Sequence, residues 1–246
     1  MLTVRLKEPA RVKVRMKEIL QVFDPSVPAF EKGYEAGRKA EYDAFWDSFQ
    51  EGWQGGNMDY HYAGTGWSDV TFKPKYSMKP ISATSMFRRN HFGGDLVELL
   101  ERQGIALDFS ECTQMTYLFY ESTVTHIGAV DFTATVSTTG AFGYMYHCHT
   151  IDSVKLKKEN TYAATSFRCP ALENICIDGV IGQNGFDIHW SNGLSRASME
   201  SIVSALSSET SGLTVTLPKA AKEAAFTADE WASLISTKPN WTIALA

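Results

Sequence analysis

The stretch YHCHT, residues 146–150, places His147 and His149 two positions apart. On an extended backbone both would point to one side, as two ligands of a tetrahedral metal would, with Cys148 facing the other way. Such a site needs one or two further ligands, which His126 or His189 could supply only if the coils stack that way. The plainer reading is a pair of surface histidines on a loop, so neither metal nor cofactor is expected. Asp108 and Asp131 are the acidic pair most open to a hydrolytic role. They stand in matching contexts, LDFS from Leu107 and VDFT from Val130. A catalytic dyad needs two unlike environments, so aspartates in like contexts are expected to accept hydrogen bonds from turn amides. GVIGQNGF carries glycines at 179, 182 and 185, but it opens no helix and reads as a turn. No Walker loop, HExxH or GxSxG is present, and the expectation is a protein that is not an enzyme.

The shared LDFS and VDFT contexts belong to a wider recurrence. Phe119 is followed by Val124 and Ile127, Tyr146 by Ile151 and Val154, and Phe167 by Leu172 and Ile175. An aromatic with aliphatics five and eight residues on, returning at steps of 27 and 21 residues, predicts a solenoid whose coils each add one strand to a shared sheet. Cys148 and Cys169 each lie two residues after the aromatic, which predicts buried free thiols. On such a scaffold the side chains free to bind are aromatic or polar residues outside the core. Tyr120, Tyr144, His147, His149 and Lys155 are the candidates.

The remaining elements follow from periodicity. Residues 1–20 alternate aliphatic and basic residues around Pro9, as a β-hairpin would, and carry a net +4 in a chain of −5. From Phe30 to Trp53 a helix is expected, with Tyr42, Phe45, Trp46, Phe49 and Trp53 on one face. Residues 1–53 are therefore the candidate attachment and oligomerisation unit. Residues 54–80 read as a strand-and-loop cap and 81–246 as the solenoid with its terminal cap. Within the latter, a helix is expected from Asp95 to Arg102, stopped at Gly104, and then a strand over IALDF. Further on come a helix with Met199, Ile202, Val203 and Leu206 on one face, a strand at GLTVTL, a helix ending before Pro239, and a last strand at WTIALA. The fold class is thus α/β, with parallel strands joined through helices and turns.

Composition narrows the function classes. With 44% hydrophobic residues the 246-residue chain can bury a real core. An acidic balance argues against nucleic-acid binding, which needs a basic face. No apolar run is long enough for a signal peptide or a membrane span.

The motifs GWSDVTFKPKY, LDFSECTQMTYLFYES, LENICIDGVIGQNGFD, SIVSALSSETSGLTVTL and KPNWTIALA resemble the BspA-like leucine-rich repeat proteins, particularly those of gut Firmicutes and their phages or prophages. The resemblance spans roughly residues 30 to 246. It implies a leucine-rich-repeat-like solenoid used for binding, in proteins found as surface adhesins or on phage particles. The expectation is a non-enzymatic recognition module of a phage or prophage virion, acting outside the cell and held as a homo-oligomer or in a larger assembly through residues 1–53. Its ligand would be a host protein or glycan, with no nucleic acid and no membrane involved. A bacterial surface adhesin or protein-interaction protein is the alternative. A glycan- or cell-wall-cleaving enzyme has the least support.

Overall fold

The computed structural model describes residues 77–91 and 93–246. Over these residues the chain is α/β, with parallel strands gathered into two small sheets. In the first, β1 (His126–Asp131), β2 (Thr150–Leu156) and β3 (Asn174–Gly179) lie side by side in chain order. The second joins β4 (Phe186–Asp187), β5 (Leu213–Leu217) and β6 (Trp241–Leu245). Helix α1 (Leu96–Gln103) precedes β1, and α2 (Arg196–Ala205) lies between β4 and β5. Helices α3 (Lys219–Ala225) and α4 (Ala228–Ser236) connect β5 to β6.

Register ties the first sheet to the sequence. His126 stands opposite Thr150 and Thr150 opposite Asn174, a step of 24 residues each time. Ile127, Ile151 and Ile175 therefore align, as do Val130, Val154 and Ile177, and all six side chains are buried. Between Ile151 and Val154 the register shifts, because β2 holds one residue more than β3 over that interval. In the second sheet Leu213 pairs with Trp241, the 28-residue spacing expected from sequence.

The chain around these sheets is irregular, yet its backbone is paired. The amides of Ser85, Phe87 and Arg89 donate to the carbonyls of Thr116, Leu118 and Tyr120, each at 2.8 Å. Those of Tyr117, Phe119 and Glu121 donate in turn to Thr139, Ala141 and Gly143, and Phe142 donates to Ser166. In these tight turns the backbone is left-handed two residues to either side of Phe87, Phe119 and Phe142, with Gly140 the one glycine among those positions. Ser85, Arg89, Tyr117, Glu121 and Tyr144 accordingly have φ between 54° and 58°. A non-glycine residue there costs roughly 1–2 kcal/mol, which the satisfied amides offset.

The core follows the same stacking. Phe87 lies on Phe119 with ring centroids 4.8 Å apart, Phe119 on Phe142 at 6.1 Å, Phe142 on Phe167 at 5.5 Å, and Phe167 on Phe186 at 4.7 Å. All five are fully buried. The aromatic that follows Phe119 in the stack is therefore Phe142, whereas the sequence spacing pointed to Tyr146, which is 55% exposed. Phe142 stands nine residues before Ile151, where Phe119 and Phe167 stand eight before Ile127 and Ile175, so an eight-residue count passes it over.

Two other expectations are corrected. The single helix expected before Pro239 is two, because Phe226 turns into the core with extended backbone. Thr227 then starts α4 with a capping box: its hydroxyl accepts from the Glu230 amide and the Glu230 carboxylate accepts from the Thr227 amide. IALDF is not a strand but makes one parallel bridge, Met78 with Leu107. Helix α1, in contrast, lies within a residue of its expected bounds, with Asp95 as its N-cap and Gly104, φ 65°, stopping it as expected.

Cys112, Cys148 and Cys169 are buried free thiols, while Cys176 is exposed. Burial raises the Cys148 thiol to about 12, and burial, with Cys148 nearby, holds Cys169 well above its usual value. Among the described residues no helix is long and apolar enough to cross a membrane. The expected hairpin of residues 1–20, the helix with Tyr42, Phe45, Trp46, Phe49 and Trp53, and the cap up to residue 76 lie outside the described residues.

Candidate functional site

The left-handed residues that let the turns stack also decide what faces outward. Phe119 points into the core, and Tyr117 and Tyr120 on either side of it lie at the surface. Their rings meet edge to face at 5.2 Å; Tyr120 meets Tyr144 at 5.2 Å, and Tyr144 meets Tyr146 at 6.3 Å. Glycines seat this row. A Cβ at Gly140 would lie 2.4 Å from the Tyr117 ring, and one at Gly143 would lie 2.7 Å from the Tyr120 ring. The two tyrosines can rest on the next turn only because its backbone is bare there.

Two arginines lie over the row. The Arg88 guanidinium is 5.5 and 5.4 Å from the ring centres of Tyr117 and Tyr120. That of Arg168 is 4.3 Å from Tyr144 and 4.1 Å from Trp190, and its Nη1 donates to the Tyr144 hydroxyl at 2.9 Å. Each such cation–ring contact is worth about 0.5–2 kcal/mol. Trp190 in turn packs on His189 at 4.7 Å, and His189 Nδ1 is 2.6 Å from Asp187 Oδ1. The product is a continuous strip of aromatic faces and cationic edges. Tyr117, Tyr146 and Trp190 are its exposed rings.

A second polar cluster joins α1 to the first sheet. His126 Nδ1 lies 2.9 Å from Asp95 and its Nε2 lies 2.7 Å from Asp152. With a carboxylate at each nitrogen both must donate, so the geometry favours the imidazolium. Partial burial works against that charge, but the bonds to Asp152 and Asp95 outweigh it and raise the His126 pKa. Asp95 is lowered: its own burial opposes ionisation, while the Glu98 amide and His126 together favour it. A raised histidine stabilises the fold fully below its unfolded value, about 6.5, and that contribution fades as pH rises through the raised folded value. The Asp95 contribution is present above the usual 3.8 and fades as pH falls through the lowered one. His126→Gln is therefore expected to lower the denaturation midpoint most near about pH 5 and less at about pH 9. A midpoint difference that stays constant over that range would contradict the charged bridge.

Of the residues singled out from sequence, Tyr120 and Tyr144 are in contact within the strip. His149 instead faces Glu173 at 3.5 Å, Lys155 faces Asp131 at 3.7 Å, and His147 is exposed in the turn before Cys148. His126 and His189 are engaged by aspartates, and among the described residues no group of three potential ligands gathers for a metal. Asp108 and Asp131 accept hydrogen bonds from the amides of Ser110 and Thr133, both at 2.8 Å, as turn-forming aspartates. Asp187 does the same for His189. GVIGQNGF is a turn between β3 and β4.

Sequence reasoning missed Arg88, Tyr117, Arg168 and Trp190, and it placed Tyr146 in the core. One signal was available: Tyr120, Tyr144 and Arg168 are separated by the same 24 residues as the paired strand positions. Compared with models of protein families, with curated proteins and with solved structures, the chain matches none.

Proposed function

We propose that the chain is a non-enzymatic recognition module: a leucine-rich-repeat-like solenoid whose successive coils align aromatic and arginine side chains for a ligand outside the chain. The observation that carries this reading is the strip itself. Tyr117, Tyr146 and Trp190 stay exposed beside a core that already holds five stacked phenylalanines, so the strip is not an overflow of the interior. The equal step between strand partners and between Tyr120, Tyr144 and Arg168 supports the view that the coils space the strip. In this reading residues 1–53 attach the module as an oligomer to a phage or prophage particle. A bacterial surface adhesin would use the same strip.

The test is binding of the intact protein to immobilised envelope polysaccharides and surface proteins of bacteria. The Tyr146→Ala chain should bind at least about tenfold more weakly with an unchanged denaturation midpoint. Unaltered binding by that chain would remove the strip as the site. Release of new reducing ends from a bound polysaccharide would replace the reading with an enzymatic one.

A further inference from the structure

We infer that the strip takes an acidic saccharide, a carbohydrate chain bearing carboxylates, with sugar rings on its aromatic faces and the acid groups at Arg88 and Arg168. The inference rests on the recognition reading above and names the ligand class for the same surface.

Charge is the first ground. Among the described arginines, Arg89 pairs with Glu121, Arg102 with Glu98, and Arg196 with Glu200 and Glu230. Arg88 and Arg168 have no carboxylate partner among the described residues. They are the two held over the tyrosine row, and the Nε of each is buried without an acceptor. The carboxylate beside Tyr120, that of Glu121, is occupied by Arg89 at 2.5 Å. Two guanidinium groups on one strip with no carboxylate partner among the described residues are a local electrostatic preference for anions. Face contact with the rings fixes each guanidinium plane and leaves its edge to donate to a carboxylate.

Shape is the second. The rings the strip leaves exposed are Tyr117, Tyr146 and Trp190, each an apolar face with a polar tip. Sugar rings place C–H groups on such faces while their hydroxyls reach the tyrosine oxygens. Single-stranded nucleic acid also stacks on aromatic rings, but it needs a basic groove along the backbone, which two arginines in an acidic chain do not make.

Titration of the intact protein with polygalacturonate, alginate and hyaluronate, beside dextran, poly-glutamate and oligothymidylate, decides the matter. At least one polyuronate should bind, about tenfold or more tighter than the other three probes, and more weakly as salt rises. Arg88→Gln and Arg168→Gln should each reduce that binding about tenfold. Tyr146→Ser, at an exposed ring, should reduce it with the fold intact even if Arg168→Gln does not fold. Equal binding of dextran, indifferent to Arg88→Gln, would overturn the acidic ligand and leave the recognition reading standing. Equal binding of poly-glutamate or oligothymidylate would overturn the saccharide. Binding of no polyuronate overturns the inference outright, and the wider panel then judges the recognition reading alone.

Discussion

A Phe142→Ala chain is expected to lose about 3–5 kcal/mol of stability, while Tyr146→Ala shifts it by no more than about 0.5 kcal/mol. Phe142 is fully buried between Phe119 and Phe167, with Phe132 edge-on at 5.9 Å, so truncation opens a cavity in the middle of a row. Its neighbours on both sides are held by the backbone ladders of adjoining turns and cannot close the gap without breaking them. Among the described rings Tyr146 touches only Tyr144, and it is mostly in solvent. Urea denaturation of both variants measures the contrast. Comparable losses would mean that the core runs through Tyr146, as its sequence spacing suggested.

Gly179→Ala should cost about 2–4 kcal/mol. Gly179 ends β3 with φ 106°, and a Cβ there would sit 2.0 Å from the Leu156 carbonyl oxygen on its partner strand. That atom is backbone and cannot swing aside. The end of β3 must therefore leave β2, and Val180, whose amide donates to the same carbonyl, goes with it. Gly104→Ala separates the two causes. Gly104 also has positive φ but nothing lies within 4 Å of its added Cβ, so the backbone term of about 1 kcal/mol stands alone. If the two substitutions cost the same, close approach at the sheet edge contributes nothing.

What could be read from sequence had its cause written locally. Asp95 and Gly104 mark the ends of α1 because capping chemistry needs those residue types. The distance from Leu213 to Trp241 gave the pairing of β5 and β6 because no bulge interrupts it. Before β2 the turn holds one residue more than before β1, and counting from Tyr146 placed Val154 where Ile151 stands. The strip was only half legible. Tyr120 and Tyr144 stood out as polar aromatics, but nothing in the letters announces that Tyr117 and Tyr144 adopt a conformation that tyrosine rarely takes. Nor does a sequence show that Gly140 and Gly143 are bare because rings from the preceding turn lie on them. Asp187 escaped notice as a partner of Asp108 and Asp131 because Ile188 replaces the phenylalanine that follows the other two.

The four thiols turn the fold into its own recorder. Cys176 lies open on β3, whereas Cys148 and Cys169 are held protonated in the interior and are unreactive until the layers around them separate. A brief pulse of alkylating reagent during unfolding would thus stamp each molecule with a count of the layers already opened. Mass spectrometry of the stamped chains would read whether the structure peels from one end or gives way at once, with no cysteine introduced.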